Sequence, residues 1–281
     1  MIQELIDIAI GKIQRMESTA LRYSKKGFVV AFSGGKDSQV VLKLAELAKV
    51  KFEGIYNLTT IDPPENVLFI RHQYPNVKIM RPKLTFSQLV AKKGLLPSRQ
   101  KRYCCAVLKE SYGAGRVVLT GVRRSESQNR ADRMDVNIRT RRRHPQWTDG
   151  SEDDFYKYQE TVVQCLKGKD KLILNPILDW SQSDVWQFIK LYNLPVNPVY
   201  KMGCTRVGCV LCPLSSIESK RFEIKMWPKL ADRWFRVFVR DRQSFVKKTG
   251  MDKWGNLSDT EAFSCYLQEK APDRSLTLDF E

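Results

Sequence analysis

The sequence predicts an α/β protein: a doubly wound, mostly parallel sheet with a helical C-terminal part. Three observations predict it. Short apolar runs alternate with stretches of helical spacing through the first half of the chain, and a glycine pair follows one of the first runs directly. From Trp180 onward the spacing turns helical, punctuated by Pro195, Pro198, Pro213 and Pro228. Strands that alternate with helices pair in parallel, and the helices cover both faces of the sheet. The 281 residues, 42% of them hydrophobic, supply one sizeable core or a core plus a smaller appendage.

Residues 2–23 carry apolar positions at helical spacing (Leu5, Ile6, Ala9, Ile10, Ile13, Met16) and read as one amphipathic helix. The run 27–32 is a buried strand leading into Gly34 and Gly35. Residues 39–48, with Val40, Val41, Leu42, Leu44 and Leu47, form a helix that packs on a sheet. Strand 52–58, helix 65–74, strand 77–80 and strand 116–120 follow, the last ending at Gly121. In such a sheet ligands sit beyond the C-terminal strand ends. The glycine loop, the segment from Thr59 through Asp62 and the segment from Thr120 through Arg123 all fall there. Residues 123–154, Arg-dense and then acidic, read as a long, partly mobile loop near that rim. No repeat recurs in the sequence. The expected organisation is an N-terminal helix over 1–24, an α/β domain over 25–200 and a cysteine-bearing helical region over 201–281.

The formal net charge is +17, a statement about partners and not about fold. Nucleic acid is the leading partner; a solvated basic surface or a site for small anionic nucleotides are the alternatives. With only His72 and His144, imidazole-centred catalysis is not expected. The first residues place Glu4 and Asp7 inside the opening apolar stretch, unlike a secretory signal. No apolar run approaches the roughly 20 residues a membrane span needs. A soluble, cytoplasmic protein without a membrane partner is expected. In a reducing compartment the seven cysteines serve as metal ligands or catalytic thiols sooner than as disulfides.

The string Ser33, Gly34, Gly35, Lys36, Asp37, Ser38 is not a Walker loop, but its physics is related. Two glycines let successive backbone N–H groups turn toward a phosphate, and the following helix adds its positive end. Ser38 is placed to cap that helix, Lys36 to neutralise phosphate, and Asp37 to hold a divalent ion or a hydroxyl. The competing reading is a tight turn after a buried strand. This string resembles the pyrophosphate loop of the ATP pyrophosphatases, and the chain is similar to their phosphoadenosine phosphosulfate reductase-like branch. Further matching strings run from Thr59 to Glu65, Arg102 to Cys105 and Thr120 to Ser127, and include Asn175-Pro176-Ile177 with Trp180. The resemblance implies an adenine nucleotide alpha-hydrolase-like fold over 25–200 and an activity that splits ATP, with Mg2+, between its α and β phosphates. It also implies nucleotide contacts by Ser33, Gly34, Gly35, Lys36, Asp37 and Ser38, with Thr60 and Gly121 near the adenosine. Lys36, Asp37 and Arg123 would then carry the chemistry.

Cys104 and Cys105 are adjacent; far downstream come Cys204, Cys209 and Cys212, with Gly203 and Gly208 permitting tight turns. An all-sulfur set fits zinc or an iron–sulfur cluster. The pair plus Cys-x-x-Cys resembles the 4Fe-4S pattern of sulfonucleotide reductases and of DNA phosphorothioation enzymes. That resemblance implies Cys105, Cys209 and Cys212 as ligands and Cys104 or Cys204 as the fourth, the spare thiol being free to carry sulfur. Cys165 and Cys265, without a partner in sequence, are expected to pack.

Arg139 through Arg143 are placed to track a phosphodiester backbone, with a salt slope of roughly −0.9 per contact on duplex DNA; a solvated basic loop and a dock for an acidic protein partner are the alternatives. Trp227, Trp234, Phe235, Phe238 and Phe245 are expected in a core. The expected function is ATP-activated sulfur insertion into nucleic acid. The DNA backbone is the favoured acceptor and a tRNA base the second, with a cysteine desulfurase or another sulfur donor as partner. The rivals are a phosphoadenosine or adenosine phosphosulfate reductase, whose Glu-Cys-Gly-Leu-His tail has no counterpart around Cys265, and a non-catalytic nucleotide-binding subunit.

Overall fold

The computed structural model describes residues 2–110, 112–126, 135–139 and 171–268. They form two units. One comprises Met1–Asn57, Glu65–Met80 and Glu110–Val207, the other Leu58–Pro64, Arg81–Lys109 and Gly208–Glu281.

The first unit holds a six-stranded sheet of β1 (Phe28–Ala31), β2 (Phe52–Asn57), β3 (Lys78–Met80), β4 (Val117–Leu119), β5 (Val136–Arg139) and β6 (Lys171–Leu174), in the order β3-β2-β1-β4-β6-β5. All neighbours run parallel except β5, which pairs antiparallel with β6 through Val136↔Leu174 and Ile138↔Leu172. The central strand β1 is Phe-Val-Val-Ala, and its first three residues are buried, as a strand covered on both faces requires. Helices α1 (Ile2–Arg15) and α3 (Lys36–Leu47) pack on each other, and α3 also packs on α6 (Gln182–Leu191) and on β1. Ile6, Ala9 and Ile13 of α1 are buried, as are Val40, Val41, Leu44 and Ala45 of α3. The chain moves outward from β1 to β3 and then returns to β4 on the other side of β1. The switch point therefore lies between β1 and β4, where an open sheet of this kind receives ligands.

Several local expectations are corrected. The 2–23 helix breaks at Met16, whose φ of −92° and ψ of 0° end α1 before α2 (Glu17–Tyr23) begins. Met16 N–H bonds to Ile13 O at 3.1 Å, three residues back, which tightens the turn. Helix α3 starts at Lys36, not Gln39, with Gly35 as its N-cap. Ser38 is thus inside the first turn and does not cap. Residues 136–139, read as loop, form β5, and β6 went unread. Of the Arg-dense segment, Arg124–Glu126 form a 3-10 turn, and residues 127–134 and 140–154 lie outside the described residues.

The second unit is helical: α5 (Phe86–Lys93), a π-helical turn (Cys105–Lys109), α8 (Ile217–Met226), α9 (Pro228–Thr249) and α10 (Asp259–Gln268). Helix α9 packs against α5, α8 and α10. Trp234, fully buried, packs at a tilt against Phe86 with centroids 4.2 Å apart, and Phe238 meets Phe263 at 5.3 Å. Trp227 is also buried, while Phe235 and Phe245 are half-buried, so the aromatic set builds a core. Cys265 is buried in α10. The remaining elements of the first unit are α4 (Pro64–Gln73), which begins at the boundary, and the short α7 (Pro198–Lys201). No helix among the described residues is long and apolar enough to cross a membrane.

Candidate active site

The loop between β1 and α3 is held from behind by buried amides. Asn66 donates to Ser33 O (3.2 Å), while Asn197 and Gln39 donate to Gly34 O (2.9 and 3.2 Å). Asn197 also donates to Asn66 Oδ1 at 2.7 Å, and all three amides are buried. Fixing these carbonyls on the inner side orients the peptide planes of the loop. The N–H groups of Ser33, Gly35 and Lys36 meet the hydroxyls of Ser38 (3.1 Å), Ser33 (3.3 Å) and Tyr200 (3.0 Å). Burial pushes the Tyr200 phenol up to about 12. Hydroxyl oxygens thus sit where oxygens of a phosphate would compete for the same donors at a helix N-terminus.

Gly34 needs to be glycine. Its φ is +78°, and an added Cβ would fall 2.2 Å from Asn66 Oδ1. Gly34→Ala is expected to cost about 1–3 kcal/mol, read as a lower urea midpoint at unchanged slope.

Charge converges on the first turn of α3. Asp37 places Oδ2 2.7 Å from Lys36 Nζ and Oδ1 2.7 Å from Arg123 Nε. Lys36 and Arg123 are buried. The guanidinium is further fixed by Ser125 Oγ (2.9 Å) and Trp180 O (3.4 Å). Gly121 approaches so closely that a Cβ there would lie 2.8 Å from the Asp37 carbonyl carbon. Beside it the Thr120 hydroxyl meets the buried Asn175 amide oxygen. Ser33, Gly34, Gly35, Lys36, Asp37, Ser38, Gly121 and Arg123 therefore occupy one end of the first unit. Sequence reasoning missed Gln39, Asn66, Asn197 and Tyr200. Asn197-Pro198 signals only a helix start, and nothing local ties Asn197 to a carbonyl 163 residues away.

Thr60 belongs to the second unit. Its φ of +69° is unusual for a β-branched residue. The strain is held in place because Phe86 N–H donates to its hydroxyl (2.9 Å) and Arg233 to its carbonyl (2.8 Å). The same unit contains Cys104, Cys105, Cys209 and Cys212. A hydrogen bond with Cys104, reinforced by Arg102, holds the Cys105 thiol down to about 6, while Cys105 and burial push Cys104 up. The charges of Cys209 and Cys212 also act on Cys104. Cys209 donates to Thr59 Oγ1 at 3.4 Å; burial pushes its thiol up against the pull of Lys109. Thr59 N–H is anchored on Asp62 at 2.6 Å. No disulfide joins these thiols, and among the described residues no three metal-binding groups are gathered closely enough to hold a metal ion. The donor set is thus all sulfur, as an iron–sulfur cluster or zinc would require, but it is not drawn into a ligating arrangement. Cys204 lies in the first unit, after α7, with its N–H on Val199 O. Cys165 and residues 140–143 lie outside the described residues.

The chain is thus a doubly wound α/β protein with a glycine loop and two buried cations, Lys36 and Arg123, gathered on Asp37 at the first turn of α3. The family model of the phosphoadenosine phosphosulfate reductase domain matches residues 27–215, and the chain belongs to that family. An uncharacterized protein of Methanocaldococcus jannaschii is 27% identical over 261 residues, 84% of this chain and 48% of that protein. The chain therefore spans about half the length of that relative. An adenosine 5'-phosphosulfate reductase of Oceanobacillus iheyensis is 24% identical over 210 residues, 71% of this chain and 76% of that enzyme. Among solved structures, the U34-tRNA thiolase NcsA from Methanococcus maripaludis with its [4Fe-4S] cluster aligns at TM-score 0.43 and 13% identity, over 99% of this chain and 84% of that one.

Proposed function

We propose that the chain binds ATP on the Ser33–Ser38 loop, splits it between the α and β phosphates, and uses the transferred AMP to activate an oxygen of a nucleic acid for sulfur insertion. The observation that carries this reading is the pair of buried cations, Lys36 and Arg123, clamped on Asp37 at the first turn of α3. Both Asp37 oxygens are engaged by cations, so its role is to hold them in place and not to bind a metal by itself. Magnesium enters with the triphosphate and neutralises phosphate charge, as it does where few protein carboxylates are offered. An acceptor oxygen attacks the α phosphorus, the bond to the bridging oxygen breaks, and pyrophosphate leaves with the electron pair. Lys36 and the α3 amides stabilise that departing charge. A sulfur nucleophile, supplied by a cysteine desulfurase or another donor, then displaces AMP. The net charge of +17 supports a nucleic-acid acceptor. The DNA backbone is the first choice and a tRNA base the second. Cys104, Cys105, Cys209 and Cys212 would hold a 4Fe-4S cluster, with zinc as the alternative; their shared unit and interacting charges support that set. A cluster of this kind supplies redox-active or Lewis-acid iron.

The test is pyrophosphate release from ATP and magnesium, together with mass spectrometry of nucleosides from the treated acceptor. No pyrophosphate above background rejects the reading. The likeness to an adenosine 5'-phosphosulfate reductase favours one rival. Sulfite released from a phosphosulfate in the presence of a dithiol reductant would decide for it. Anaerobic purification followed by iron, sulfide and zinc analysis separates the two metal assignments: about four irons per chain is the expected result for a 4Fe-4S centre.

A further inference from the structure

The helical unit encloses a cavity of about 780 Å³ between the segment 94–101, α9, the turn after α9 and α10. Its wall includes the aromatic rings of Phe245 and Trp254, the cations of Arg99, Lys101 and Lys253, and one carboxylate, Asp241; Lys220, also in the wall, is buried and donates to Leu267 O at 2.7 Å. The ring platform is fixed from below. Trp254 leans on Phe238 with centroids 5.7 Å apart, and its backbone N–H donates to Asp252, whose carboxylate is gripped by Arg242 at 2.8 Å. From above, the exposed Lys253 ammonium stands 5.5 Å from the Phe245 centroid and 5.9 Å from that of Trp254. The lysine stem is long enough to swing outward to an anion, and that movement uncovers the π faces for a flat, electron-poor group.

We infer that this cavity is a second ligand site that takes a nucleotide unit, with its base on Trp254, the donors of that base on Asp241, and its phosphate between Arg99 and Lys101. A plain anion such as pyrophosphate makes no use of the rings and is repelled by Asp241. A neutral apolar ligand makes no use of the exposed Lys101 and Lys253. A base joined to a phosphate satisfies all three kinds of group, and the volume falls within the roughly 300–1,000 Å³ of small-molecule sites. The carboxylate favours bases that present amino or imino donors, guanine above all, over uracil. A smaller cavity of about 280 Å³ shares Gly94 and Asp241 and adds Arg240, giving room for a neighbouring unit of a strand. Binding here is independent of the ATP loop. Only its biological role, seating the acceptor, rests on the proposed function.

The test uses the full chain without ATP and a fluorescein-labelled, guanine-containing single-stranded oligonucleotide, followed by anisotropy across a salt series. Trp254→Ala is expected to weaken binding about ten-fold and Trp254→Phe far less. The double variant Arg99→Gln/Lys101→Gln, at two exposed positions, should flatten the salt slope by about 0.7, one single-strand phosphate contact. Wild-type affinity and slope in both Trp254→Ala and the double variant would overturn the site. Displacement of the oligonucleotide by GMP at similar affinity identifies a free nucleotide as the ligand; resistance to GMP identifies a strand. Either supports the site. Binding of ATP with magnesium in the absence of acceptor, read as the rise in melting temperature it produces, should be the same in all these variants, so failure of this site and failure of the loop reading are seen separately.

Discussion

Lys36→Ala should lower pyrophosphate release from ATP by about 100- to 1,000-fold while leaving the chain folded. A single preorganised charge aimed at a departing oxyanion is worth that much when the site excludes water, and Lys36 is buried at the helix mouth. The fold should survive because Asp37 keeps Arg123 as its partner at 2.7 Å, so no charge is orphaned. Asp37→Asn makes the opposite case. It leaves two buried cations facing a neutral amide, and breaking a buried pair in this way costs about 3–5 kcal/mol. An anion should restore part of that loss. Pyrophosphate is therefore expected to raise the melting temperature of Asp37→Asn by more than that of the wild type. Equal turnover in Lys36→Ala and wild type would remove the loop from the mechanism, whatever the melting curves show.

What the sequence made legible follows the range of the forces involved. The β1 strand, the glycine loop and α3 are specified by neighbours in sequence: a Phe-Val-Val-Ala run, two glycines, and apolar positions at helical spacing. The first residues of α3 were misassigned because Lys36, Asp37 and Ser38 read as loop chemistry, yet polar residues are normal in a first helical turn. Strand β5 is hard to read because the alternation Val136-Asn137-Ile138-Arg139 spans only four residues inside an Arg-rich stretch, and its pairing is set by β6 more than thirty residues later. The second unit could not be read at all as one body. It is assembled by long-range bonds, such as Val210 N–H to Ile61 O and Trp234 on Phe86, that leave no local trace. The cysteines were legible as a set because adjacent and Cys-x-x-Cys spacings are conspicuous. That Cys209 bonds to Thr59, 150 residues away, was not.

The second large effect concerns acid stability and works through Glu53. Glu53 lies near the start of β2 and is 15% exposed; its Oε2 meets Arg116 Nη1 and its Oε1 meets Lys78 Nζ. Arg116 immediately precedes β4 and also donates to Gly27 O and Phe28 O at the entry to β1 (2.9 and 3.1 Å), while Lys78 opens β3. One carboxylate therefore ties together the N-terminal ends of four parallel strands, the end of the sheet opposite the glycine loop. Lys78, and after it Arg116, hold the Glu53 carboxyl down to about 2 against the opposing effect of burial. Because the folded value lies below the unfolded value of 4.5, the unfolded chain takes up the proton first. The contribution is thus complete above about pH 5 and is lost as pH falls toward 2. It amounts to on the order of 2 kcal/mol once screening of the exposed lysine is allowed for. Glu53→Gln removes it at neutral pH and adds the cost of a guanidinium left in place, its buried Nε already without a partner among the described residues. The total expected loss is about 3–5 kcal/mol. Urea midpoints should therefore fall steeply for the wild type between pH 5 and pH 3, and much less for Glu53→Gln. Parallel decline of the two would mean that the four strand ends are held by packing alone and that this ion cluster merely decorates them.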